Sequence, residues 1–125
     1  MDGEFDVRGR IFVVTGGDKG LGLETVRRLV KGGGQVIIGC RDPRYFGQGA
    51  DTALAGLCRD LECGEEQVKV IYLELAKLTS VKKFCDTMIS TYEVIDVLIC
   101  NAGVMSHAGE NVSEDGLELL SLIHI

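Results

Sequence analysis

Eight residues near the start of the chain constrain its fold more than any others. Thr15 to Gly22 reads T-G-G-D-K-G-L-G and follows the apolar run Ile11-Phe12-Val13-Val14. An apolar strand, a glycine-rich turn and an amphipathic helix, in that order, form the arrangement that holds the diphosphate of a dinucleotide. Gly16 permits the tight turn, Gly20 lets the backbone approach the phosphates, and Gly22 lets the helix pack close to the strand. The phosphates would then lie at the helix N-terminus, where unpaired N–H groups and the helix dipole favour negative charge.

The rest of the chain repeats this alternation. Four apolar, β-branched runs are expected as strands: Arg10–Val14, Gln35–Gly39, Val68–Glu74 and Val97–Cys100. They are continuously apolar rather than alternating, which fits a parallel sheet covered on both faces. Three helical patterns separate them. The first starts near Gly20, sets Leu21, Thr25, Val26, Leu29 and Val30 on one face, and stops at Gly32-Gly33-Gly34. The second runs from about Gln48 to Leu61. The third carries Val81, Phe84, Cys85, Met88, Ile89 and Tyr92 at helical spacing, with Thr79 or Ser80 placed to cap it. The order β-α-β-α-β-α-β predicts an α/β fold, the N-terminal half of a doubly wound parallel sheet. Ligands of such sheets bind beyond the carboxyl ends of the strands, where Thr15–Gly22, Arg41, Glu74 and Asn101 all fall.

Composition narrows the classes of partner. With 125 residues the chain is large enough for one domain with a core and too short for two. The net charge of −6, with no basic cluster, argues against a nucleic-acid or anionic-membrane partner. No apolar run approaches the ~20 residues of a membrane span. Residues 1–10 carry Asp2, Glu4 and Asp6 with no apolar core, so no signal peptide is read there and a cytoplasmic location is expected. The five cysteines make no Cys-x-x-Cys pair, so they are expected to be reduced, mostly buried thiols, and no metal site is expected.

These motifs together resemble the short-chain dehydrogenase/reductase family. The spacing T-G-x-x-x-G-x-G is that family's. Ile99-Cys100-Asn101-Ala102-Gly103 is similar to its N-N-A-G segment, with Cys100 for the first Asn, and Leu73-Glu74-Leu75 is similar to its L-D-L segment, with Glu74 for Asp. Gly39-Cys40-Arg41-Asp42 and Asp115-Gly116-Leu117-Glu118 look most like the retinol dehydrogenase and WW-domain oxidoreductase branch. The resemblance covers about residues 8 to 119. It implies a partial nicotinamide-dinucleotide-binding domain whose cofactor meets Thr15, Gly16, Asp18, Lys19, Gly20, Leu21, Gly22, Arg41, Glu74, Leu75, Asn101, Ala102 and Gly103. Within that set, Asp18 braces the turn, Glu74 lies near the adenine and Asn101 beside a ribose.

The choice of cofactor is read from the end of the second strand. An enzyme using NAD places an acidic residue there, about twenty positions after the glycine turn, to accept from the ribose 2′-OH. Cys40 stands at that point and Arg41 follows it, with a guanidinium suited to bidentate phosphate binding. Lys19 adds a charge from the glycine turn, where the resemblance implies a basic residue in members that prefer NADP. The expected cofactor is therefore NADP(H), with Asp42 turned away or bracing Arg41.

The resemblance implies hydride transfer between nicotinamide and the carbon of a small alcohol or carbonyl, with Tyr and Lys four residues apart and a Ser as catalytic groups. The tyrosines, Tyr45, Tyr72 and Tyr92, are followed at that spacing by Gly49, Ala76 and Asp96, so the catalytic set is expected outside this chain. Leu120 to Ile125 is what CTG TCT CTT ATA CAC ATC encodes, a transposon end used as a library adapter. Those six residues are expected to be foreign and residues 1–119 the natural part, a genuine apolar C-terminus being the alternative. An epimerase or dehydratase of the extended type, or a module that senses the dinucleotide without catalysis, are the other readings. The expected partner is a small molecule, and the resemblance also allows a homo-oligomer.

Overall fold

The structure is a computed structural model that describes residues 5–41, 59–64, 66–103 and 115. Four strands and two long helices make up the described residues. They are β1 (Ile11–Thr15), α1 (Gly20–Lys31), β2 (Gln35–Cys40), β3 (Val68–Tyr72), α2 (Leu78–Thr91) and β4 (Val97–Ile99). The sheet is parallel throughout, in the order β3-β2-β1-β4. The chain steps outward from β1 to β2 to β3 and then returns to the far side of β1. The order therefore reverses between β1 and β4, the place where open α/β sheets hold their ligands.

The continuously apolar strands are explained by the two faces they bury. In β1, Phe12 and Val14 point to one face, where Val36, Ile38, Cys40 and Val68 join Val26, Leu29 and Val30 of α1. Val13 points to the other, with Ile37, Leu73 and the α2 residues Phe84 and Met88. Successive side chains alternate across a strand, so a strand with a helix on each face has no position to spend on polar residues.

The expected elements are found with shifted ends. β1 and β2 each run one residue further, β3 stops at Tyr72 rather than Glu74, and β4 stops at Ile99 rather than Cys100. Of the second expected helix only residues 59–61 are described, and they are helical; Gln48 to Cys58 lie outside the described residues, as do Asp42 and Leu120 to Ile125.

Several side-chain expectations are corrected. Leu21 is 83% exposed, because it is Gly22, the next residue round the helix, that faces Gly16 and Asn101. On α2 the buried stripe is Phe84 and Met88, one turn apart; Cys85 and Ile89 sit one residue further round and face outward. Cys100 is exposed as well, beyond the end of β4, leaving Cys40 as the one fully buried thiol among the described residues. Neither Thr79 nor Ser80 caps α2. The N-cap is Lys77, which provides no side-chain bond, and the first N–H of the helix, on Leu78, donates instead to the Asp115 carboxylate at 2.9 Å.

The glycine triple after α1 does more than end the helix. It receives the N-terminal arm: Val7 N–H donates to Gly32 O, and a Cβ at Gly34 would stand 2.9 Å from the Phe12 ring. Among the described residues no helix is long and apolar enough to cross a membrane.

Ile38 is fully buried between α1 and the sheet, whereas Leu98 is 57% exposed on β4. Ile38→Ala is expected to lower the unfolding free energy by about 2–5 kcal/mol, and Leu98→Ala to change it by less than about 0.5 kcal/mol. Urea denaturation of the two variants measures both.

Candidate functional site

The carboxyl ends of β1 and β4 meet at the point where the strand order reverses, and their residues are tied there directly. Thr15, buried as the last residue of β1, turns its hydroxyl towards β4. Its Oγ1 accepts hydrogen bonds from the backbone N–H of Asn101 and of Ala102, both at 3.1 Å. Asn101 answers from the other side. Its Nδ2 donates to Thr15 O and to Gly16 O, both at 3.1 Å. Two carbonyl acceptors fix which end of the amide is nitrogen. The glycine turn and the Asn-Ala-Gly segment are thus one unit, joined by four hydrogen bonds across 85 to 87 residues of chain.

The glycines of the turn have different physical reasons. Gly16 has φ +66, and a Cβ there would stand 2.9 Å from Ala102 Cα. Gly22 faces Gly16 O and Asn101 Nδ2 so closely that any Cβ would overlap both. Gly20 also has a positive φ, +59, but among the described residues nothing lies within 4 Å of its missing Cβ. The same holds at Gly103. Glycine backbone therefore borders the N-terminus of α1, whose first N–H groups point out of the helix end. Its first turn holds no acidic residue. A helix end of this kind favours an anion such as a phosphate group.

The remaining site residues lie along the same edge. Lys19, the N-cap of α1, and Arg41, directly after β2, are both exposed there, and Asp18 is half-buried in the turn. Cys40, the last residue of β2, is buried in the core and presents no carboxylate to the edge. After β3, Glu74 begins a braced loop. Its N–H donates to Ser80 Oγ at 2.8 Å, and its Oε1 accepts from Ala76 N–H at 3.1 Å. Leu75 packs at the margin of the core beside Leu73 and Phe84.

Three participants escaped the sequence reading. Gly17 is buried, and a Cβ on it would press Val26, Ile38 and Val14 at 3.0 to 3.3 Å, so it is a packing glycine inside the motif. Ser80 and Asp115 hold the loop after β3. Nothing in their spacing announces a partner six or thirty-seven residues away. Among the described residues no cluster of metal-ligating side chains occurs.

The short chain dehydrogenase family model matches residues 10–121. The chain belongs to the short-chain dehydrogenases. It is 36% identical over 117 residues to retinol dehydrogenase 14 of Mus musculus, covering 90% of this chain and 35% of that protein. It is 33% identical over 113 residues to the WW domain-containing oxidoreductase of Danio rerio, covering 90% of this chain and 26% of that protein. An NADPH-bound short chain oxidoreductase from Pseudomonas aeruginosa PAO1 superposes with a TM-score of 0.66 at 25% identity, covering 80% of this chain and 37% of that one. The chain thus spans about a third of the length of the curated relatives it matches.

Thr15→Val keeps the shape of the side chain and removes the acceptor shared by two N–H groups. Asn101 N–H keeps Ile99 O as a second acceptor, so the loss falls on Ala102 N–H and is expected to cost about 1–3 kcal/mol of unfolding free energy, whereas Thr15→Ser is expected to stay within ~1 kcal/mol of wild type. Equilibrium unfolding in guanidinium separates the two.

Proposed function

We propose that this chain is the cofactor-binding half of an NADP(H)-dependent oxidoreductase that interconverts an alcohol and a carbonyl, as a retinol dehydrogenase does. Residues 1–119 would be a partial dinucleotide-binding domain and residues 120–125 foreign to it. Hydride transfer is the cofactor's chemistry. The residues of this chain bind and orient it. The turn from Gly16 to Gly22 takes the diphosphate, Asn101, Ala102 and Gly103 border a ribose, and Glu74 and Leu75 border the adenine.

One observation carries the preference for the phosphorylated cofactor. The end of β2 holds a buried thiol, Cys40, followed by an exposed arginine, with Lys19 exposed on the same edge. A ribose 2′-OH finds no carboxylate at Cys40, and a 2′-phosphate finds two cations in Arg41 and Lys19. A charge-assisted hydrogen bond contributes roughly 1.5–3 kcal/mol. Arg41→Ala is therefore expected to weaken NADPH binding about 10- to 100-fold and to leave NADH binding nearly unchanged, with Lys19→Ala acting in the same direction. Fluorescence titration of wild type and both variants with each nucleotide tests this. Wild type that binds NADH as tightly as NADPH, or variants that weaken both equally, would overturn the assignment.

The catalytic half is tested on the transcript. The complete open reading frame is expected to continue past Leu119 with an Asn-bearing helix, then a Ser, then Tyr-x-x-x-Lys. A frame without Tyr-x-x-x-Lys would turn the reading to a dinucleotide-sensing module.

A further inference from the structure

The loop that joins β3 to α2, Glu74 to Lys77, borders the carboxyl edge of the sheet, entered from Leu73, whose N–H donates to Cys40 O at 2.8 Å, and resting on the core through Leu75. It belongs to no strand, and the helix that follows supplies no side-chain cap of its own. Two side chains outside the loop hold it. Ser80 Oγ accepts from Glu74 N–H at 2.8 Å, fixing the first residue of the loop. Asp115 Oδ2 accepts from Leu78 N–H at 2.9 Å, fixing the residue just past its end. Between these anchors, Glu74 closes a short internal turn. Its Oε1 accepts from Ala76 N–H, and its backbone carbonyl accepts from Lys77 N–H at 3.1 Å. The longer side chain of Glu74 is thereby spent in part on its own loop.

We propose that Ser80 and Asp115 are positioning residues for the adenosine half of the cofactor. Neither touches the nucleotide. Together they set where the loop from Glu74 to Lys77 stands at the sheet edge, and so the depth of the adenine subsite. This inference rests on the proposed dinucleotide binding. The Asp115 anchor acts on the first residue of α2 from thirty-seven residues further along the chain.

The test uses two probes of the 125-residue chain. 2′,5′-ADP reports the adenosine half, and inorganic diphosphate reports the glycine turn alone. Asp115→Ala and Ser80→Ala are each expected to weaken 2′,5′-ADP roughly 5- to 10-fold, the size of one lost hydrogen bond, with diphosphate affinity unchanged. Asp115→Asn and Ser80→Thr keep an acceptor and are expected to restore binding. Ser90→Ala, which removes a bond at the far end of α2, is expected to leave both affinities alone. Equal weakening of both probes would mean general destabilisation and would overturn the proposal, as would wild-type affinity for 2′,5′-ADP in the Ala variants. If an Ala variant is unfolded by circular dichroism, Asp115→Glu takes its place. It shifts the anchor by one methylene and is expected to weaken 2′,5′-ADP with helix content unchanged; undiminished affinity there also overturns the idea. A wild-type chain that binds neither NADPH nor 2′,5′-ADP overturns the proposed function, whereas binding with no response to these substitutions overturns only the inference.

Discussion

The reciprocal hydrogen bonding of Thr15 and Asn101 is the constraint on which the site depends. A hydroxyl from the end of β1 accepts from two N–H groups after β4, and an amide after β4 donates to two carbonyls at the end of β1. Thr15 is buried and Asn101 half-buried, so breaking one side leaves Ala102 N–H and the Thr15 and Gly16 carbonyls short of a partner, while Asn101 N–H keeps Ile99 O. The bonds also fix the distance across the reversal of strand order. Only at that distance does Gly22 fit beneath Asn101 and Gly16 fit beside Ala102. A glycine motif and a distant asparagine thus become one hydrogen-bonded rim.

Parallel strand order brings the other candidate residues to that rim. All four strands end at one edge, so whatever follows them converges without further design. Buried thiol and exposed arginine at the end of β2 determine which charge the edge presents. The loop after β3 is less self-sufficient, because it has no partner strand and no cap within its own helix. It is held by its own turn at Glu74, by Ser80 of α2 and by Asp115. The edge therefore has a rim built by β1 and β4 and a flank held by α2 and Asp115.

Much of this could be read from residue order. The glycine spacing, the apolar runs and the placement of Arg41, Glu74 and Asn101 after strands require only local chemistry: positive φ favours glycine, and a two-sided strand excludes polar residues. Burial around a helix was less legible. Leu21 and Ile89 fit an apolar period as well as their neighbours do, yet face solvent, because which residue of an apolar stripe is buried depends on how the helix is rotated against the sheet. Gly17 has no assigned part in the glycine spacing and is a packing position, since only the approach of Val26 and Ile38 makes its hydrogen necessary.

Sequence alone determined the class of fold, the family and the edge on which a ligand would sit, because each follows from local periodicity and from motifs a few residues long. The tertiary structure decided how those motifs are joined. It paired Thr15 with Asn101, made Gly22 indispensable, and exchanged the expected Thr79 or Ser80 cap for the Asp115 carboxylate. These are contacts between residues tens of positions apart, and spacing along the chain carries no record of them. They arise only when the strand order reverses and sets the ends of β1 and β4 side by side.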